Sequence, residues 1–107
     1  MKEKDMLQKI GDQVIEVLSE IYDPEIPVNI YALGLIYNVE VSEFCDVKIT
    51  MTLTSPNCPV AESLPLEVEE KTKLIDSVKT SKVDIVFDPP WTKEMMSEEA
   101  KLELGML

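Results

Sequence analysis

The chain has 107 residues, a length that fits one domain and leaves little room for a second. Its 21 acidic residues outnumber the 10 basic ones, all lysines, and the net charge of -11 argues against a protein that binds nucleic acid or anionic membranes by neutralising phosphates. The 45% hydrophobic content is typical of folded globular proteins and argues against a disordered chain. We therefore expect one domain over residues 1–107, whose acidity provides solubility or complements a basic partner protein.

The N-terminal residues and the cysteine content indicate a cytoplasmic protein. Residues 1–5 are charged and lead directly into an amphipathic pattern, so no secretory signal is visible. No apolar run approaches the ~18 residues that a membrane span requires. Two cysteines, Cys45 and Cys58, are too few for the usual disulfide scaffold, and histidine is absent from the sequence.

Hydrophobic periodicity predicts the first three elements. Apolar residues recur at three- and four-residue steps over Leu7–Ile21, which predicts a helix that ends near Tyr22, because Pro24 disfavours a helical residue before it. Alternating apolar and polar residues predict strands over 35–41 and 47–53. The short link between these strands favours an antiparallel hairpin.

The second half of the chain predicts a helix, a strand and a final helix. Pro65 should make the second helix start late or kink. A third strand is predicted over 82–88, with Phe87 in its apolar set, and a last helix over 95–104. The apolar side of the second helix comprises Val60, Ala61, Leu64 and Val68. The order α-β-β-α-β-α predicts a single compact α+β domain, with helices packed on one face of a small mixed sheet.

Cys58 is the strongest candidate for chemistry, because it follows a strand and precedes a helix. Backbone N–H groups at a helix start stabilise an anion and would lower the pKa of a thiol placed there. Pro59 suits the first helical position. Cysteine is also a common buried residue, so an inert Cys58 is the alternative. For Cys45, in the hairpin link, we expect a partly buried structural role.

Asp23 and Glu25 lie in a stiff, proline-bounded loop and could cap a helix, order the turn or act as a base. Without histidine, a cysteine hydrolase lacks its usual base, and a nearby carboxylate would raise the pKa of the thiol. One chain also has too few Cys and His residues for a tetrahedral zinc site. Any metal ligated by Cys58 would therefore need a second chain, a partner protein or outside thiols. Trp91 is either a core anchor or a docking residue for a partner.

Three stretches together resemble one family. They are the segments 23–30 with 33–37, then 52–59, then 89–92 continuing to residues 104–105. This pattern is similar to the SufT/PaaD-like family of iron–sulfur cluster assembly factors, whose fold is shared with the cluster-carrying domain of scaffold proteins. The resemblance covers nearly the whole chain.

The resemblance implies a site and a role. It places the characteristic cysteine of the family at Cys58, its acidic loop residues at Asp23 and Glu25, and its strand-end threonines at Thr52 and Thr54. Around Cys58 we group a supporting loop that consists of Asp23, Glu25, Thr52, Thr54, Ser55 and Asn57. The implied function is non-catalytic assistance of cluster transfer to client apoproteins, beside scaffold or carrier proteins. A transient cluster is implied, with none bound stably by one chain, and a cluster-bridged homodimer is conceivable.

Three alternatives stay open. In the first, Cys58 is structural and Trp91 forms the docking surface of a pure adaptor. In the second, the protein is an accessory factor in phenylacetate metabolism, although that branch carries a cysteine-bearing C-terminal extension not found here. In the third, a small thiol-dependent enzyme uses Asp23 or Glu25 as its base.

Overall fold

The computed structural model describes residues 2–23, 28–54 and 63–105, and the side chains from residue 6 onwards within them. Its main elements are helix α1 (Lys2–Leu18), strands β1 (Ile36–Val41) and β2 (Asp46–Met51), helix α2 (Ser63–Lys73), strand β3 (Thr80–Ile85) and helix α3 (Glu98–Glu103), and a 3-10 turn lies at Lys93–Met95. The predicted order α-β-β-α-β-α is confirmed. None of the helices among these residues is long and apolar enough to cross a membrane.

The sheet is mixed and has the order β1-β2-β3. Strands β1 and β2 form the predicted antiparallel hairpin, and β3 joins the other side of β2 in parallel. The ends of the hairpin strands differ slightly from the prediction. Strand β1 begins at Ile36 rather than at residue 35, and β2 ends at Met51 rather than at residue 53. Strand β3 begins two residues before its predicted start and ends at Ile85, so the prediction that Phe87 belongs to its apolar set is wrong.

One hydrophobic core joins α1 and α2 to the sheet. Val47, Ile49 and Met51 of β2 are buried on alternate positions, as a strand with one covered face requires. They pack in one cluster with buried residues of both helices, which are Ile10, Val14, Leu18, Leu64 and Val68. The predicted packing of these helices on a face of the sheet is therefore confirmed.

Helix α1 starts earlier and ends earlier than its apolar stripe predicted. After Leu18 the chain tightens, with Ile21 N–H donating to the Leu18 carbonyl at an N–O distance of 3.3 Å. Ile21 lies outside the helix but is fully buried, because its carbonyl accepts the Ile30 N–H at 2.8 Å and so ties it to the next segment. Position in the core, rather than helical periodicity, explains its apolar character.

A single helical turn at residues 29–34 leads into β1. The Leu35 N–H donates to the Ile30 carbonyl (3.2 Å), and the Gly34 N–H donates to the Tyr31 carbonyl (3.1 Å). With Gly34 at a φ of 80°, these two bonds form a Schellman motif, the usual way in which a glycine ends a helical turn. Leu35 and Ile30 are both fully buried, which adds the apolar contact that accompanies the motif.

Helix α2 covers the β3 edge of the sheet. The Glu69 carboxylate accepts the Val83 N–H at 2.9 Å, and the Thr72 and Ser81 hydroxyls share a hydrogen bond of 2.5 Å. Pro65 lies within the first turn of α2, where a proline does little harm to the helix. Val60 and Ala61, predicted on the same helical face as Leu64, lie outside the described residues.

The C-terminal helix is shorter than predicted. Instead of one helix over 95–104, Met96 adopts an extended conformation between the 3-10 turn and α3. Ser97 then acts as the N-cap, and its hydroxyl accepts the Ala100 N–H at 3.1 Å. The serine followed by two glutamates was the sequence signal for this new helix start.

Candidate functional site

The end of strand β2 presents two threonines in a buried setting. Thr52 follows the strand, and its backbone N–H donates to the Leu35 carbonyl at 2.8 Å. Its side chain is fully buried, yet Oγ1 makes no hydrogen bond with any of the described residues. Thr54, two residues further on, is half-buried. A buried hydroxyl without a partner costs roughly 1–3 kcal/mol, so Thr52 is an unusual feature of this fold.

A cavity of about 140 Å³ lies at this strand end. We call it the strand-end pocket, and it is lined by Thr52, Leu53, Thr54, Phe87, Pro90 and Trp91. Two of the predicted supporting residues, Thr52 and Thr54, thus meet the predicted docking residue Trp91 in one place. None of the described lining residues carries a charge, and the Thr52 hydroxyl is too deeply buried to be reached from the pocket.

Trp91 is fixed in the wall of the pocket by a hydrogen bond. Its indole Nε1–H donates to the Leu33 carbonyl at 2.6 Å, and the half-buried ring also packs against the core. Trp91 therefore combines an anchoring contact with a surface that faces the pocket. Phe87 lies beyond the end of β3 and keeps 47% of its surface exposed, which is high for an aromatic side chain.

The segment that carries this wall is attached at several other points. The Tyr37 hydroxyl donates to the Pro89 carbonyl at 2.7 Å, and the Ser97 N–H donates to the Ala32 carbonyl at 2.8 Å. The Asp88–Pro89 peptide bond is cis. Gly34 contacts the 3-10 turn so closely that a Cβ atom at this position would overlap the Met95 carbonyl oxygen. These contacts fix the wall to the turn that precedes β1.

Asp23 lies five residues after the end of α1 and is buried, with only 4% of its surface exposed. A short bridge between Tyr22 and Asn29 closes the loop around it, and the Asp23 N–H donates to the Val28 carbonyl at 3.4 Å. The Asn29 side chain in turn accepts the Ala32 N–H at 2.8 Å. Asp23 is not one of the described residues that line the strand-end pocket.

The structure does not describe all of the predicted site. Cys58, Glu25, Ser55 and Asn57 lie outside the described residues, so their predicted roles stay predictions. Cys45 lies in the hairpin turn at a φ of 64° and is half-buried, which agrees with its predicted partial burial. Across residues 2–23, 28–54 and 63–105, no three Cys, Asp or Glu side chains gather closely enough to hold a metal ion.

Sequence reasoning missed the part of the wall that comes from Phe87 and Pro90. Phe87 had been predicted in a strand, and Pro90 had no predicted role beyond ending that strand. The signal was present in the paired prolines before Trp91, because two prolines stop a strand and turn the chain across its end. Because none of its described lining residues is charged, the pocket can accept a small uncharged group.

Comparisons with known proteins identify the family. Residues 11–85 match the family described as iron–sulfur cluster assembly protein. The chain is 52% identical over 96 residues to the Fe-S protein maturation auxiliary factor of Porphyromonas gingivalis, covering 90% of this chain and 91% of that protein. It is 40% identical over 86 residues to the Fe-S protein maturation auxiliary factor SufT of Staphylococcus aureus, covering 80% of this chain and 98% of the relative.

A solved structure supports the same relationship. The crystal structure of a DUF59 domain of unknown function from Bacillus anthracis superimposes with a TM-score of 0.89 at 34% identity, and the alignment covers 97% of this chain and 99% of that one. The fold and the sequence thus agree over almost the full length, and the resemblance derived from the three motifs is confirmed. This chain belongs to the family of iron–sulfur cluster assembly proteins.

Proposed function

We propose that this protein is a non-catalytic maturation factor that helps to deliver iron–sulfur clusters to client apoproteins in the cytoplasm, with Cys58 as its reactive thiol. The observation that carries the proposal is membership of the iron–sulfur cluster assembly family, with relatives named as maturation auxiliary factors. The cluster is the cargo of the reaction rather than a resident cofactor of the chain.

The position of Cys58 along the chain supports its assignment. It lies four residues after Thr54, and four residues extend the backbone by at most about 14 Å. The chain therefore limits the distance between the Cα atoms of Thr54 and Cys58 to about 14 Å, which is compatible with a shared site. In our proposal its thiolate supplies one iron ligand or a transient sulfur contact, and the thiol proton is released when the metal binds.

One thiolate per chain makes the proposed contact transient. The remaining ligands would come from a scaffold or carrier protein, from the client, or from Cys58 of a second copy in a cluster-bridged homodimer. The net charge of -11 favours partners with a complementary basic surface. Glu25, Ser55 and Asn57 are proposed to shape the loop around the thiol, together with the buried Asp23.

The test is anaerobic cluster reconstitution, followed by maturation of a cluster-dependent client. Wild type, Cys58→Ala and the matched control Cys45→Ala are compared by visible absorption and iron content. Cys45→Ala is a suitable control because it removes the other thiol of the chain and keeps a Cβ at the same backbone angles. We expect the wild type and Cys45→Ala to take up iron and support maturation, and Cys58→Ala to fail in both.

An adaptor function is the second candidate, and the exposed ring of Phe87 beside Trp91 favours it. In an adaptor the thiol at Cys58 is structural and binding of partners is the whole activity. Maturation by Cys58→Ala at the wild-type level would contradict the thiol role and favour the adaptor. Thiol alkylation adds an independent measurement: a ligand thiol should react quickly, with a pKa below the free value of about 8.5.

A further inference from the structure

We propose that the open edge of strand β1 binds an extended, basic segment of a partner protein, which adds to the sheet as a strand beside β1. Such a site goes beyond the proposed function, because none of the features that support it involves Cys58 or a cluster. Three features of the described residues support it: a row of backbone groups turned away from the sheet, an apolar groove beside that row, and an acidic side chain that lacks a cation.

Among the strands that the structure describes, β1 is paired on one side only. The Ser42 N–H donates to the Asp46 carbonyl at 2.9 Å, so these residues form a hydrogen-bonded pair of the antiparallel ladder. Hydrogen-bonded and non-hydrogen-bonded pairs alternate along such a ladder, which turns the N–H and C=O groups of Val39 and Val41 away from β2. A row of this kind is matched by another extended chain, which gives the binding mode its main-chain hydrogen bonds.

An apolar groove lies beside these backbone groups, between β1 and α1. We call it the edge groove; its volume is about 440 Å³, and its apolar lining consists of Leu7, Gly11, Ile15, Val39 and Val41. A cavity of about 150 Å³ holds one benzene molecule, so the edge groove has room for two or three apolar side chains. A strand added beside β1 would direct every second side chain into it. The groove therefore requires a segment that is apolar at alternate positions.

Gly11 leaves part of the edge groove open. Leu7, Gly11 and Ile15 are four residues apart and share one face of α1. A Cβ atom at Gly11 would meet nothing within 4 Å, so packing within the described part of the chain does not require a glycine there. Glycine also destabilises a helix interior relative to alanine. The space between Leu7 and Ile15 can instead receive a side chain of the added strand.

The charges at this edge select a basic segment. Glu40 lies on the exposed face of β1, opposite Lys48 of β2, but Lys48 forms its ion pair with Asp84 at 3.3 Å. Glu40 accepts a hydrogen bond from the Asn38 amide and forms no ion pair with any described residue. Asp12 adds a second negative charge to the edge groove, and none of its described lining residues is basic. A lysine or arginine placed opposite Glu40 would supply the favourable cross-strand pair.

A second copy of the chain fits this edge poorly. Each copy has a net charge of -11. Helix α2 covers the β3 edge, so the described edge that a copy can offer is β1 itself, whose exposed residues are Asn38 and Glu40. Pairing β1 with β1 would bring two acidic edges together and supply no cation. The occupant is therefore a segment of a different protein, with apolar residues at alternate positions and basic residues between them.

The experiment titrates the intact protein with a capped hexapeptide of alternating lysine and valine. Proton–nitrogen NMR spectra follow the chemical shift and the hydrogen-exchange rate of each backbone amide. We expect the Val39 and Val41 amides to shift and to exchange more slowly when the peptide binds, while the Glu40 amide, which faces β2, keeps its exchange rate. A hexapeptide of alternating glutamate and valine should bind about tenfold more weakly.

Two pairs of variants isolate the groove and the charge. Gly11→Leu should fill the edge groove and weaken binding about tenfold, whereas Gly11→Ala adds one methyl group and should stay within about threefold of the wild type. Both should unfold at or above the wild-type temperature, because the added Cβ meets open space. Glu40→Gln should weaken binding about threefold. Glu103→Gln makes the same change in net charge at an exposed residue of α3 and should leave binding unchanged.

Four results would overturn the proposal. The Val39 and Val41 amides could stay unchanged by the lysine peptide, or a folded Gly11→Leu could bind as tightly as Gly11→Ala. Equal binding of the lysine and glutamate peptides would refute a basic partner. A dimeric mass, with slow exchange at Val39 and Val41 in the protein alone, would assign the edge to a second copy. Cys58→Ala should bind the peptide like the wild type, so a failure of the thiol role in maturation is distinguishable from a failure here.

Discussion

Replacing Gly34 by alanine should destabilise the fold, because two separate features of the structure depend on the missing side chain. Gly34 has a φ of 80°, where an ordinary residue costs roughly 1–2 kcal/mol. A Cβ atom would also overlap the Met95 carbonyl oxygen, which belongs to the backbone and can yield only if the 3-10 turn moves. We expect that movement to weaken at least one hydrogen bond, worth about 1 kcal/mol.

Alanine also reduces the conformational freedom of the unfolded chain, which offsets about 0.4–1 kcal/mol of that cost. The net expectation is a loss of about 2 kcal/mol in the free energy of unfolding. For a domain of this size, such a loss lowers the Tm by about 8 °C. Urea unfolding followed by circular dichroism and by tryptophan fluorescence measures it, and the m-value should stay constant.

Gly11 provides the matched control. It lies within α1, and a Cβ atom there would meet nothing within 4 Å. Gly11→Ala should therefore stabilise the protein by about 0.5–1 kcal/mol, since alanine favours a helix interior more than glycine does. The reasoning is refuted if Gly34→Ala unfolds at the wild-type urea concentration, or if both variants lose stability equally.

Three further substitutions test other contacts. Glu69→Ala should lose about 1–2 kcal/mol, because it leaves the Val83 N–H without its acceptor, whereas Glu69→Gln keeps an acceptor and should lose less than half as much; equal losses in urea unfolding would contradict the hydrogen bond. Ser97→Ala removes the cap that accepts the Ala100 N–H and should cost about 1 kcal/mol, with Ser97→Asp restoring most of it in thermal unfolding. Ile49→Ala, in the centre of the core, should cost about 3 kcal/mol, and a cost below 1 kcal/mol in the same assay would show that the site can collapse around the cavity.

The elements that local patterns determine could be predicted from the sequence. The hairpin followed from strict alternation and a short link, and the burial of Val47, Ile49 and Met51 confirms the face that alternation indicated. Errors arose where tertiary contacts overrode the pattern. Ile21 is apolar because the core requires it outside the helix, and Phe87 is apolar without belonging to a strand.

The pocket could not be predicted, because it depends on contacts between residues far apart in the sequence. Thr52 and Trp91 are brought together by the parallel placement of β3 and by the bond from the Trp91 indole to the Leu33 carbonyl. Neither contact has a local sequence signal. The resemblance to a family supplied Thr52 as a residue of interest, but its unpartnered hydroxyl could be recognised only in the three-dimensional structure.

The pocket is built from two parts of the chain that are distant in the sequence. Thr52 and Thr54 fall inside residues 11–85, the region matched by the family, whereas Phe87, Pro90 and Trp91 lie beyond it. The wall formed by Phe87 and Pro90 belongs to a segment outside the sheet, whereas Thr52 and Thr54 follow strand β2 directly. Substitutions at Phe87 or Pro90 can therefore change the shape of the pocket while the strand pairing of β2 stays intact.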